Sequence, residues 1–243
     1  MFKFLDKNIQ LEETSHTYNH SKLPDTDFIS VTRLLKPYFE PFKSIEIATE
    51  LCANVPKYMD IKPEELVMQW NAARDHGSLV HHEIDSYIKE EINPTELKSK
   101  NGIKWLNKYR DEYDLDLLSE VIVYSADLCI AGTIDLLPYD KYYNSYEIID
   151  WKTNKKINKS SFYGKTGIHP ITLDLADCNF NHYALQLSLY RYLLEESYNL
   201  KISNQMIVHI TDKKCRKIQT PYYKDHIIEI IKERRDGEIT NSA

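Results

Sequence analysis

Asp135, Asp150 and Lys152 are the residues of this 243-residue chain whose types and spacing suit a shared chemistry. Asp135 lies in the apolar run Gly132-Thr-Ile-Asp135-Leu-Leu137, and Asp150 in Glu147-Ile-Ile-Asp150-Trp-Lys152. Both runs read as strands, with residues 138–145 as the turn between them. The midpoint of 135 and 150 falls inside that turn, so a near-symmetric hairpin sets the two carboxylates opposite each other, projecting from one face with Cβ atoms about 5 Å apart. Like charges so placed destabilise a hairpin unless something neutralises them. A divalent cation does this. Carboxylate oxygens suit Mg²⁺ or Mn²⁺, whose remaining positions are filled by water and by the phosphate oxygens of a substrate. Side chains alternate along a strand, so Ile148, Asp150 and Lys152 share a face while Ile149 and Trp151 point away; Lys152 then stands beside the same carboxylates. Two acids and a lysine in that relation suit phosphodiester chemistry. The plainer alternative is an exposed strand face carrying one surface ion pair.

The elements that must position these residues are legible from periodicity. Residues 28–35 look like an N-capped helix start, with Ser30 as the cap. From Pro63 onward Leu66, Trp70, Ala73, Leu79, Val80, Ile84, Tyr87 and Ile88 keep a rough helical period, opened by Pro and Glu, and Gly77 stands where this helix could split in two. A helix over 96–113 precedes a change of period, where 120–124, 128–137 and 146–152 predict three strands in an antiparallel meander. A long helix over 181–195, strands at 206–211 and 217–220, and a charged C-terminal helix complete the order. The expected fold class is α/β, a central mixed sheet with the meander at its heart and helices on both faces. Residues 1–243 read as a single domain, with 1–62 as an N-terminal extension.

Composition narrows the function classes. With 42% hydrophobic and 28% charged residues the chain lies outside the compositional range of disorder. No apolar run approaches the ~20 residues of a membrane span, and Met1-Phe-Lys-Phe-Leu-Asp6 is too short and too soon charged for a signal peptide, so a cytoplasmic protein is expected. Cys52, Cys129, Cys178 and Cys215 lie far apart, which suggests neither a disulfide framework nor a thiolate metal site. A net charge of −6 argues against bulk electrostatic coating by nucleic acid, so any polyanion is held by a local patch. The stretch from Lys152 through Lys155 and Lys156 to Lys159 is such a patch, directly after the lysine motif, although a solvated loop is the commoner fate of a charge run.

Taken together, Asp135 closing one strand and Asp150-Trp-Lys152 on the next resemble the core of the PD-(D/E)xK nuclease superfamily. Gly77-Ser-Leu-Val-His81 resembles the G-x-x-x-H helix upstream of that core in the RecB-like branch, where the histidine is a metal ligand. Gln186-Leu-Ser-Leu-Tyr190 resembles the branch's downstream Q-x-x-x-Y helix, and Glu120 occupies the acid often found at the start of the preceding strand. All occur in the expected order across residues 77–190, and a looser likeness to phage-type exonucleases reaches residues 29–35 and 174–190. The pattern departs at Ile134, where the superfamily's name has Pro, and at Asp150, which is not Glu. The cysteine quartet of iron–sulfur members is missing, so no cluster is expected.

The resemblance implies a restriction-endonuclease-like core and metal-dependent DNA hydrolysis, with an exonuclease of replication, recombination or repair favoured, single-stranded or double-stranded DNA ends as the partner, and recombination or replication proteins as further partners. A catalytically inactive DNA-binding module and a structure-specific endonuclease are the alternatives. His81, Asp135, Asp150 and the backbone carbonyl of Trp151 are implied to hold Mg²⁺ or Mn²⁺, with Lys152 orienting water. Glu120, Gln186 and Tyr190 join the catalytic group, and Gln186 and Tyr190 also face DNA together with Lys155, Lys156 and Lys159. His82 points about 100° away from His81 on a helix, so only one of the two faces the metal. Asp85, one turn on, either orients His81 or is helix surface. A zinc site of His76, His81 and His82 lacks the spacing and the cysteines it needs.

Overall fold

The run Ser145–Lys152 is buried at six of its eight positions because the strand it forms is covered on both faces, as strands with parallel neighbours are. The computed structural model describes residue 2 and residues 4–241, with side chains through 236; Met1 and Lys3 of the opening stretch and the last two residues lie outside it. A hairpin of β1 (Ile9–Glu12) and β2 (Thr17–His20) leads to a two-residue strand β3 (Ile29–Ser30) and helices α1 (Val31–Leu35) and α2 (Ser44–Asn54). Ser30 caps α1, its hydroxyl accepting the Arg33 N–H. Helix α3 (Pro63–Glu90) follows, then α4 (Leu97–Tyr113) and the strands β4 (Leu115–Asp116), β5 (Ser119–Ser125), β6 (Ile130–Leu136), β7 (Tyr139–Asp140) and β8 (Ser145–Lys152). The chain ends with α5 (Asn179–Glu196), β9 (Ile202–Ile210), β10 (Cys215–Gln219) and α6 (Lys224–Asn241).

The main sheet is mixed. β10, β9, β8 and β6 follow one another in space, β5 lies on the other side of β6, and β8 and β9 run parallel because α5 crosses between them. Helices cover both faces. On one face α1, α5 and α6 enclose a core with Ile134, Ile148 and Ile207; on the other α3 and α4 close over Leu136, Ile149, Trp151 and Val208. Among the described residues, no helix is long and apolar enough to cross a membrane.

Two local features differ from the sequence expectation. α3 is one continuous helix through Gly77, with no break there. A Cβ at Gly77 would lie 2.9 Å from the Thr153 hydroxyl, so the glycine lets the helix approach the end of β8 closely. The meander is also forked: β6 meets β8 only at the Leu136–Ile149 bridge, and the start of β6 pairs instead with β3, in parallel through Ile29–Ile130 and Ser30–Ala131.

Candidate active site

The fork between β6 and β8 is where the sequence-singled residues converge. The Leu136–Ile149 bridge carries Asp135 to the position facing Asp150, as the symmetric hairpin predicts. Their directions differ from the prediction. The Asp135 carboxylate accepts the Trp151 backbone N–H at 2.8 Å, and a strand N–H lies in the plane of the sheet, so this carboxylate sits between the strands, not on one face beside Asp150. The neighbours of Asp135 explain the turn: Ile134 packs into one core and Leu136 into the other, so the alternation of β6 breaks at this residue. Across the β5–β6 ladder Ser119 pairs with Leu136 and Val121 with Ile134, which sets Glu120 opposite Asp135. Glu120 has φ of 48°, a left-handed conformation costly for a residue with a side chain and common at functional sites.

His81 comes from α3, with Nδ1 3.3 Å from Asp135 Oδ2. Asp150 is buried, and Lys152 Nζ stands 2.6 Å from its Oδ2. The two form a close ion pair. Helix α5 supplies the far wall. Gln186 Nε2 donates to Tyr190 Oη at 3.3 Å, and the Tyr183 ring lies 4.5 Å below Lys152 Nζ in a cation–π contact. Tyr183 shares a helical face with Gln186 and Tyr190, and that i, i+3, i+7 spacing is the signal by which sequence reasoning could have found it. Gly132 is the other missed position: a Cβ there would stand 2.5 Å from Tyr190 Cε1, so the absent side chain is what admits the tyrosine.

Charge in the fork is finely opposed. Burial would raise the Asp135 carboxyl, but His81, Lys152 and the Trp151 N–H together outweigh it and hold it below the ordinary carboxylate range. Burial would likewise depress the His81 imidazole; Asp135 reverses this and raises it. For Glu120, burial and the nearby Asp135 outweigh the pull of His81 and Lys89 and push it up to about 8. Burial also pushes Asp150 upward, with Lys152 pulling back and Asp135 adding to the push. Lys152, despite burial, is raised by Asp150 and Asp135, so it is the cation of the pair.

These residues suit a metal ion. His81, Glu120 and Asp135 each offer a ligand atom within 4.8 Å of the others. Carboxylate oxygens are ligands that Mg²⁺ and Mn²⁺ take, an imidazole is one that many divalent transition metals take, and the buried Asp150 carboxylate, paired with Lys152, lies beside the three. A cation would also stabilise the ionised form of Glu120, which burial otherwise disfavours.

The remaining sequence candidates lie elsewhere. His82 is exposed and His76 pairs with Glu96 at 3.0 Å, so the three histidines do not converge. Asp85 contacts Ser119 at 2.6 Å and Lys89 at 2.9 Å; it ties α3 to the start of β5 and does not orient His81. The Trp151 side chain is buried edge-on against Trp105, leaving only its backbone at the fork. Lys155, Lys156 and Lys159 are exposed on the loop that leaves β8, with Lys159 Nζ 4.7 Å over the Phe180 ring.

No family model and no curated sequence matches the chain. Among solved structures it is similar to the crystal structure of SSO0001, with a TM-score of 0.39 and 13% identity over 85% of this chain and 74% of that one. It is also similar to a protein from Eubacterium rectale named "Putative exonuclease", with a TM-score of 0.37 and 12% identity over 93% of this chain and 82% of that one. Both are distant likenesses.

Proposed function

We propose that this chain is a metal-dependent deoxyribonuclease of the PD-(D/E)xK kind, with a restriction-endonuclease-like core, acting as an exonuclease on DNA ends in replication, recombination or repair in the cytoplasm. The observation that carries the reading is the convergence of His81, Glu120, Asp135, Asp150 and Lys152 in the fork between β6 and β8. One stray acid pair on a strand has many explanations. A histidine from α3, acids from three strands and a buried lysine meeting at one gap have few.

His81, Asp135 and Asp150 would hold Mg²⁺ or Mn²⁺, with Glu120 beside them. A strand residue turns its N–H and C=O to the same neighbour, so the Trp151 carbonyl faces the fork that its N–H enters and suits the remaining ligand role. When bound, such a cation supplies Lewis acidity toward a phosphate oxygen and lowers the pKa of water. Lys152, fixed between Asp150 and the Tyr183 ring, donates to the attacking water and to the charge that builds on the phosphate. Gln186 and Tyr190 close the wall against which the nucleotide lies, and Lys155, Lys156 and Lys159 hold backbone phosphates beyond it.

The test is to incubate the protein with linear, circular and single-stranded DNA in Mg²⁺, Mn²⁺ or EDTA. Loss of linear DNA from its ends in Mg²⁺ or Mn²⁺ and none in EDTA is expected, and Asp150→Asn should abolish it in a folded protein. Cleavage of closed circles would make the enzyme an endonuclease, and full activity of the Asn variant would remove the site.

A further inference from the structure

The loop that leaves β8 carries two large aromatic rings that lie mostly in solvent. Phe162 is 69% exposed and Tyr163 is 89% exposed, with ring centroids 4.3 Å apart in an edge-on pair. Exposed aromatics at such levels, adjacent in sequence, are costly in water. The tip that holds them is tightly built. Tyr163 has φ of 57° and Gly164 of 70°, two successive left-handed residues, which a tyrosine adopts at a cost.

Both stems of the loop are pinned. On one side the Asn158 N–H donates to Asn179 Oδ1 at 2.8 Å, and Asn179 Nδ2 donates to the Lys156 carbonyl at 3.0 Å. On the other the Asp177 N–H donates to the Lys165 carbonyl at 2.9 Å. A chain of contacts links the first stem of the loop to the fork: Lys159 lies over Phe180, Phe180 stands one helical turn before Tyr183, and Tyr183 lies under Lys152. One turn rises about 5 Å, so the loop begins close to the proposed site of cleavage. Lys155, Lys156, Lys159 and Lys165, all exposed, lie on the same loop on either side of the tip in sequence, on a chain whose net charge is −6.

We infer that Phe162 and Tyr163 form a stacking platform for an unpaired nucleobase, and that the substrate engaged beside the active site is therefore single-stranded or frayed DNA. Exposed rings flanked by lysines match the two faces of a single strand, whose bases offer flat apolar surface and whose phosphates offer negative charge. A fully paired duplex end presents its bases already stacked, and satisfies only the lysines. This inference rests on the nuclease reading, and extends it to the form of DNA that the site takes.

The experiment measures binding to the full chain in Ca²⁺, where cleavage stalls, by fluorescence anisotropy with two labelled single strands of equal length. One carries bases and the other abasic sites throughout. The wild-type protein should bind the base-bearing strand about 10-fold or more tightly, within the range of aromatic stacking. Phe162→Ala with Tyr163→Ala should reduce that strand to the affinity of the abasic one while leaving the abasic strand's affinity and the melting temperature unchanged. The single variants Phe162→Leu and Tyr163→Gly, the latter free of left-handed strain, should each lose part of the preference. Equal binding of both strands by the wild type would overturn the platform and leave the nuclease reading standing, as would a preference that survives the double substitution. Binding of neither strand, with no cleavage of any DNA, would overturn both.

Discussion

The Tyr190 ring occupies the space that a side chain at residue 132 would fill. A Cβ at Gly132 would meet Tyr190 Cε1 at 2.5 Å and Val31 Cγ2 at 3.0 Å, so β6 is stripped of a side chain at the one point where α5 leans its tyrosine against the sheet. Tyr190 in turn is buried with its hydroxyl facing Gln186.

Gly132→Ala should therefore destabilise the protein by about 1–3 kcal/mol, the usual cost of overpacking a closed core. It should also lower DNA cleavage, because the ring it displaces lines the site. Thermal unfolding checks the first effect and turnover the second. A variant as stable as the parent would mean that Tyr190 moves aside freely, and the close packing would then count for nothing.

The two adjacent histidines of α3 give a sharp contrast. His81 reaches Asp135, and His82 is exposed. His81→Ala should remove most activity, with part of the loss recovered in Mn²⁺, which accepts imidazole nitrogen more readily than Mg²⁺ does. His82→Ala should change little. Reversed outcomes in a cleavage assay would place the ligand at His82.

Lys152 separates binding from chemistry. A lysine that steadies charge in the transition state contributes little to the ground-state complex. Lys152→Ala should retain metal and DNA binding while single-turnover cleavage falls by about 10²- to 10⁴-fold. Equal losses in binding and cleavage would make it a phosphate anchor instead.

Helix α4 depends on a carboxylate from α3. Its N-cap, Glu96, makes no capping bond of its own; Glu83 accepts the Thr95 and Glu96 N–H groups at 2.9 and 3.1 Å and the Thr95 hydroxyl at 2.5 Å. Burial alone would raise the Glu83 carboxyl, but the Ser99 hydroxyl beside it, together with these bonds, outweighs burial and brings it down to about 2. A depressed carboxyl stabilises the fold above its unfolded value near 4.5, and that contribution fades as pH falls toward 2. Glu83→Gln should lower stability by about 1 kcal/mol at pH 7, in the range of a lost helix cap, with the gap to the parent narrowing below pH 4.5. Melting curves across that range check the sign, and a gap that widens in acid would contradict it.

What was legible in the sequence was what depends on local pattern. The β-branched and aromatic run within 146–152, the symmetric placement of 135 and 150 about a turn, and the period of α5 all express contacts with near neighbours, and these leave a mark in a short window. At Gly77, where the helix could have split, it runs on, because a glycine in a helix announces only that something comes near, not what; here it is Thr153, distant in sequence. The two-residue strand β3 is too short to show a period. The inward turn of Asp135 and the left-handed Glu120 come from a break in alternation that two cores impose from opposite faces, and neither core is visible within a window of a few residues. Tyr183 was passed over because a tyrosine on an apolar helix looks like core until the lysine beneath its face is known.

The bond from the Trp151 amide to Asp135 also makes one backbone proton a reporter. Elsewhere in a central strand, amide exchange with solvent waits for the sheet itself to open. At Trp151 the acceptor is a side chain, so its nitrogen shift and exchange rate follow the charge and position of a single carboxylate. Titrating a cation into isotope-labelled protein should move this one resonance ahead of its neighbours in β8, giving a spectroscopic reading of the fork with no probe introduced into it.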